Sequence, residues 1–336
     1  MKYKIIFVIS MILFLSCNKF NNKIPIVDLE PSIEINELSD STFFNSIRYM
    51  VCGDYIYASD EENGRILKLD TNLNLLGTIG NSGQGPKEFA GIGCIAFWKD
   101  TILALNVGGS TLSTFTTDGK FIDRYSIGTD YSITQYNFCI DDEGFLYFTS
   151  TLDSFPIVKY DRKMNRLFGF GEWNAPENKE FRSALNNNLI AYFDDKIITV
   201  QTDAPVINMY RKDGKHLLKK ELPEQLFKRR LIYKKNEQEK NAANFKKVYG
   251  LFGSIATLDN KIYLLYIDQD NQSHAYKNKI VELLFENNDF IINKVYSLSN
   301  CSGDWFGSFV FAKGNKLIAS KAGVRVNPSL NVYQLK

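Results

Sequence analysis

Six turns constrain this chain more than any other feature. Asp54, Asp100, Gly144, Asp195, Asn260 and Asn315 each separate two short runs rich in β-branched and aromatic residues, and they recur at spacings of 46, 44, 51, 65 and 55 residues. The unit from Asp54 to Phe89 shows the pattern: β runs at Tyr55–Ala58, Arg65–Leu69 and Leu75–Ile79, then a Gly-rich connector from Gly80 to Phe89. One such unit cannot bury its own apolar faces, so it needs copies beside it. The chain supplies them. Ile95–Trp98, Phe138–Ile140, Leu189–Phe193, Ser254–Leu258 and Phe309–Phe311 open five further copies, and Asp118-Gly119 and Asp213-Gly214 mark hairpins within them. About 40 to 50 residues with four strands is the length of a propeller blade. The expected fold is therefore all-β: a six-bladed β-propeller with four-stranded antiparallel blades over residues 24–336.

The two longest spacings hold extra segments, the 55-residue one a polar loop from Asp268 to Asn278, and the 51-residue spacing holds another. Trp173 to Asn188 carries Pro176 and several Asn and reads as a loop or a short helix. Leu222 to Tyr249 is rich in Lys, Glu, Gln, Asn and Ala without strand alternation, so a helical insertion is expected near 222–250. Its Arg229-Arg230, Lys234-Lys235 and Lys246-Lys247 pairs read as a solvated helix face, with contact to anionic lipid or an acidic partner as a second reading. The sixth copy has about three strands before the chain stops, while Ile24 to Ile35 holds an unassigned strand. Pairing that strand outside the last blade would remove two open edges at once.

The first residues are an address. Lys2 and Lys4 precede an 11-residue run, Ile5 to Leu15, that is apolar except for Ser10. A bilayer span needs about 20 apolar residues, so this is a secretory signal over 1–16. Phe14-Leu15-Ser16-Cys17 resembles the lipobox of bacterial lipoproteins, which implies a lipidated Cys17, a polar tether over 17–23 and a membrane link through the N-terminal anchor. With Lys2 and Lys4 removed, 38 basic and 38 acidic residues remain. This neutral balance gives no sign of a nucleic-acid footprint, and no nucleic-acid partner is expected.

At Asn81-Ser82-Gly83-Gln84-Gly85-Pro86-Lys87-Glu88-Phe89 the sequence resembles the blade connector of NHL-type propellers. It is more closely similar to the six-bladed β-propeller lipoproteins of Gram-negative gut-type bacteria, which also run from a lipobox through segments like Ile26-Val27-Asp28-Leu29 and Leu38-Ser39-Asp40. The resemblance covers residues 17 to 336 and implies the fold and an envelope location, lipid-anchored to the outer membrane. Asn18 to Lys23 lacks the acidic run after the Cys that resembles a surface-export tag, so a periplasm-facing protein is expected. It names no reaction.

The candidate chemistry is sparse. Gly80 to Gly85 lacks the helix start and the Lys-Ser/Thr pair of a phosphate loop, so Gly83, Gly85, Pro86 and Phe89 are assigned to a structural crossover, with Phe89 packed between blades. Cys52, Cys94, Cys139 and Cys301 form no C-x-x-C pair. His216 and His274 are the only histidines and read as solvated loop residues. Asp60-Glu61-Glu62 and Asp141-Asp142-Glu143 lie at turns, where Asp bonds backbone, and lack calcium-loop spacing. No cofactor or metal site is assigned, Ca²⁺ at these turns being the exception to test.

Two functions remain. The first is a non-enzymatic, monomeric exported lipoprotein that presents its channel mouth to a protein or carbohydrate partner, with Trp98, Trp173 and Trp305 as candidate binding residues. The second is a metal-dependent lactonase-like hydrolase or a lyase acting on a sugar-derived substrate in the channel, which needs inner-strand carboxylates. The inner runs named above hold almost none, so catalysis is the less favoured reading.

Overall fold

The computed structural model describes residues 24–335 apart from 39–42, 45–46, 107–109, 128–136, 151–152, 174–185, 241–249, 271–274, 299–304 and 324–325. The signal segment, Cys17 and the tether lie outside the described residues, as do His274, Cys301 and most of the 173–188 insertion.

The fold is a six-bladed β-propeller. Two strands, β1 (Ile26–Asp28) and β2 (Pro31–Ile35), precede the first blade. Blade 1 runs outward through β3 (Ile47–Cys52), β4 (Ile56–Asp60), β5 (Arg65–Leu69) and β6 (Leu75–Ile79), and a crossover follows with β7 (Asn81–Ser82) paired to β8 (Glu88–Phe89). Blade 2 is β9 (Ile92–Trp98) to β12 (Phe121–Ser126), blade 3 is β13 (Phe138–Ile140) to β16 (Arg166–Phe170), and blade 4 is β17 (Asn188–Phe193) to β20 (His216–Glu221). Blade 5 is β21 (Phe252–Leu258), β22 (Lys261–Gln269), β23 (Ala275–Glu286) and β24 (Asp289–Ser297). Blade 6 is β25 (Phe306–Ala312), β26 (Lys316–Gly323) and β27 (Val326–Gln334). All six turns aligned in the sequence fall between the first and second strands of a blade.

The ring closes through the N-terminal stretch, but in two pieces. Strand β2 completes blade 6, antiparallel to β27 with Ile33 opposite Val332 and Ile35 opposite Leu330. Strand β1 instead lies parallel to β24, as a fifth strand of blade 5. The sequence reading placed a single outer strand here. The break falls at Leu29, whose N–H donates to Ser297 O at 2.8 Å while its side chain is buried between blades 5 and 6. One short segment thus covers the outer edges of two neighbouring blades.

Apolar packing joins every neighbour to the next. A buried cluster fills each of the six junctions, including that of blade 6 with blade 1, where Val310, Ile318 and Val332 meet Ile56, Leu67 and Leu69. The middle strands therefore bury both faces, and pairs such as Ile66-Leu67 and Ile197-Ile198 are fully buried. Their sequences read as continuous apolar runs rather than alternating ones.

The turns show why the copies look unalike in sequence. Asp194-Asp195 and Asn287-Asn288 have positive φ at both central residues, the geometry that matches strand twist in a two-residue hairpin. Blades 2 and 4 use Gly119 and Gly214, at φ 85° and 87°, after an Asp. Blades 1 and 3 reach a similar bend without glycine. Leu73 and Met164 take φ 68° and 63°, held because Asp70 and Asp161 each accept two backbone N–H bonds and an Asn side-chain bond, from Asn74 and Asn165 at 2.8 Å.

The crossover is structural. Phe89 is buried between blades 1 and 2 beside Phe115. Gly85 N–H donates to Glu88 Oε2 at 2.8 Å. Gly80 has φ 75°, and a Cβ there would lie 2.2 Å from the Phe89 ring.

Between blades 4 and 5 stands helix α1 (Glu224–Lys240). It is docked, not merely solvated. Phe227 packs edge-on against Phe252 and Tyr266. Arg230 is buried and donates to Gly250 O and Gln269 Oε1, Arg229 pairs with Asp268, and Lys234 with Asp203. These basic residues hold the helix down: Arg230 and Lys234 are covered, Arg229 is exposed but paired, and Lys235 is exposed with only the distant Glu239 beside it.

Candidate functional site: the channel mouth

The six inner strands, β3, β9, β13, β17, β21 and β25, surround a channel of about 780 Å³. That is within the range of small-molecule sites. Among the described residues its lining contains no carboxylate and one side-chain amide, Asn137. Its two charged side chains are Arg48 and Lys277. Cys52, Cys94 and Cys139 also line it as free thiols. Burial raises all three, Cys94 to about 12, so they are poor nucleophiles at neutral pH.

The cations gather at one mouth, where the chain enters the inner strands. Arg48, Gly253 and Gly307 are the second residues of β3, β21 and β25. The pairing register of each of these strands breaks there, between Ile47 and Met50, Phe252 and Ser254, and Phe306 and Ser308. A fourth break, in β9, lies next along the ring. Such bulges re-aim side chains and are common beside functional sites. Ser59 and Ser320 bond the backbone of Tyr49, and of Ile47 and Ser308, at the breaks in β3 and β25.

Lys277 comes to this mouth from β23 and pairs as a parallel bridge with Trp305. It is only 7 % exposed. Its Nζ lies 4.9 Å from the Trp305 ring centroid. Among the described residues no carboxylate pairs with it. Burial, with the Arg48 charge as a smaller cause, pushes its ammonium down to about 8. Gly253 makes the space: a Cβ there would lie 2.7 Å from Lys277 Cδ and 2.8 Å from Nζ. Arg48 is exposed and pairs with Glu61 at 3.2 Å.

The three tryptophans do not converge. Trp305 lines the mouth. Trp173 lies beyond β16, donates to Ser154 O at 3.0 Å and borders a separate cavity of about 580 Å³ between blades 3 and 4. His216, on β20, borders that cavity too and stacks edge-on against Tyr210. Trp98 ends β9, at the opposite end of the inner strands from Arg48, held by Asp142 O and covered by Lys99 and Arg162.

On that opposite face lies the acidic turn Asp141-Asp142-Glu143. Asp141, Asp142 and Glu143 bring oxygens within 4.8 Å of one another. Asp141 is a turn residue, accepting from Phe145 N–H and Tyr147 Oη. The position a cation would take is filled by Lys212, whose Nζ lies 2.6 Å from Glu143, 2.8 Å from Asp195 and 3.1 Å from Asp142. The hydrogen bond to Asp195, then that to Glu143, raises Lys212 well above the ordinary lysine range. The turn at Asp60-Glu61-Glu62 lies instead on the Arg48 side, where Asp60 stands opposite Ile47 and is buried against Arg65.

Arg48 and Lys277 are not legible as a site in the sequence. Lys277 falls in the stretch Asp268 to Asn278 that reads as a polar loop, whereas β22 reaches Gln269 and β23 begins at Ala275. Its one sequence signal is its place next to Tyr276 at a strand start.

No family profile and no curated protein matches this chain. Solved structures do. A member of the DUF4221 family from Bacteroides vulgatus ATCC 8482 has a TM-score of 0.58 at 11% identity, covering 92% of this chain and 97% of that one. A protein of Bacteroides fragilis NCTC 9343, provisionally named an exported protein, has a TM-score of 0.56 at 12% identity, covering 93% and 100%. Virginiamycin B lyase from Staphylococcus aureus has 0.50 at 11%, covering 90% and 99%. At such identities these likenesses establish one thing, that the chain folds as a β-propeller along nearly its whole length.

Proposed function

We propose that this protein is an exported lipoprotein, anchored through Cys17 to the outer membrane and facing the periplasm, whose propeller binds a protein or carbohydrate partner at the Arg48–Lys277–Trp305 mouth without chemical turnover. The observation that carries the reading is the channel lining: an aromatic and two cations at one mouth, with no described carboxylate anywhere along it. The export and anchoring rest on the Lys2–Cys17 leader and on the resemblance to envelope propellers, with which the name of the Bacteroides fragilis neighbour agrees. The rival, a metal-dependent hydrolase or a lyase, needs several oxygen ligands or a general base in the channel. One amide and three raised thiols are a poor ligand set for a metal, and Lys277, lowered to about 8, is a candidate base with no described carboxylate in the channel beside it.

Immobilised glycans and cross-linking in intact envelopes test the binding. Trp305→Ala should lower capture at least tenfold while Trp98→Ala leaves it unchanged. Turnover of lactones or acidic oligosaccharides with added Ca²⁺ would displace this reading in favour of the enzyme. Labelled palmitate should be incorporated by wild type and not by Cys17→Ser.

A further inference from the structure

We infer that the mouth holds an anionic-sugar subsite, in which the Lys277 ammonium receives a carboxylate or sulfate group of the ligand and the Trp305 ring flanks the sugar. This rests on the reading of the mouth as the binding surface and names the class of ligand it takes.

Burying an ammonium without a counter-ion is unfavourable, and proteins ordinarily pair such a group. Among the described residues Lys277 has no such partner, and its surroundings are arranged to keep it so. Gly253 leaves the space that any side chain would close. The bridge to Trp305 fixes the backbone, and the ring supplies only a partial electrostatic partner. Arg48, paired with Glu61, is a second cation at the same mouth and offers Lys277 no counter-charge. Among the described residues the other buried lysine, Lys159, lies over Phe145 and donates to Lys212 O, and the half-buried Lys234 and Lys279 pair with Asp203 and Asp268. Lys277 differs in lining an open channel, so an incoming oxyanion can complete it. A charge-assisted bond in such a site is stronger than one at the surface. The aromatic beside the cation suits a sugar ring better than a bare inorganic ion, because a ring's C–H face needs an apolar neighbour.

The test compares glucuronic acid with its methyl ester by calorimetric titration of the full chain. The acid should bind at least tenfold more tightly than the ester, and Lys277→Met should bind the acid no better than the ester. Inorganic sulfate should compete, but at higher concentration than the acid. Equal binding of acid and ester, or an unchanged acid affinity in Lys277→Met, overturns the inference, and so does sulfate competing as well as the acid. A readout on wild type needs no variant to fold: acylation of Lys277 by an amine-reactive ester near pH 8, followed by mass spectrometry, should slow at least fivefold with glucuronic acid and not with its ester. An unchanged rate overturns the inference. Capture of a neutral glycan or a protein by wild type and Lys277→Met alike, with loss in Trp305→Ala, would overturn this inference while leaving the binding propeller standing.

Discussion

Lys277→Met should stabilise the protein. The variant keeps most of the unbranched stem but removes the buried charge beside Trp305. The ammonium falls from 10.5 in the unfolded chain to about 8 in the fold. At about 1.4 kcal/mol per unit, that difference costs the wild type about 3 kcal/mol at pH 7. Loss of the contact with the Trp305 ring returns about 1 kcal/mol. The net expectation is a gain of about 2 kcal/mol, read as a higher urea midpoint and a melting temperature raised by a few degrees. The pH dependence separates this cause from better packing. Because the folded value lies below the unfolded one, the cost is full below about pH 8, shrinks as pH rises through 8 and is gone above about 10.5. Between pH 7 and about 9.5 the advantage of the variant should fall by about 2 kcal/mol. A variant less stable than wild type at pH 7, or an advantage independent of pH, would refute the view that Lys277 is an uncompensated charge. A position that lowers stability yet is built into the channel fits a group kept for binding.

Other outcomes follow from the same geometry. Phe89→Ala, at a buried ring between blades 1 and 2, should cost about 3–5 kcal/mol in urea unfolding; a loss below about 1 kcal/mol would remove the crossover from the core. Deleting residues 24–35 uncovers β24 and β27 together, so light scattering should show association and the melting temperature should drop. Arg230→Met breaks the bonds of α1 to Gly250 and Gln269; hydrogen exchange should rise in 224–240 and stay unchanged in blades 1 to 3. Burial alone would raise the Asp268 carboxyl, but the hydrogen bond and charge of Lys279, the Gln269 N–H and Arg229 outweigh it and hold it below the usual range. Its stabilisation is therefore present at neutral pH and lost as pH falls through that depressed value. Asp268→Asn should lose less stability than wild type on acidification, and an equal loss would discount the cluster.

Much of the ring was legible because its signals are local. The turn at Asp54 and its five equivalents sit where the chain must reverse, and reversal has a residue chemistry of its own. The same holds for Gly80, where the chain needs positive φ beside Phe89. The inner strand of blade 1 was harder to recognise, since Ile47 to Cys52 precedes the first aligned turn and carries Arg48 and Tyr49 at a bulge. The third and first blades share an Asp-x-x-x-Asn turn, Asp70 to Asn74 and Asp161 to Asn165, whose common geometry shows only once Leu73 and Met164 are seen with positive φ.

The helix illustrates where local reading stops. Composition marks 222–250 as helical, but Arg229, Arg230 and Lys234 look like a solvated stripe until Asp268, Gln269 and Asp203 are found beneath them. Those partners lie 31 to 39 residues away in sequence, and no spacing rule brings them together.

The sequence by itself determined the repeat, the number of blades, five of the six strands that line the channel and the near absence of acid along them, because alternation, turn chemistry and repeat length act between neighbours in the chain. Only the tertiary structure decided that the N-terminal stretch divides between two blades, that Lys212 occupies the acidic turn and that Lys277 stands buried against Trp305. Each of these depends on groups from different blades meeting across the ring, and a charge becomes costly or useful only through what surrounds it in space.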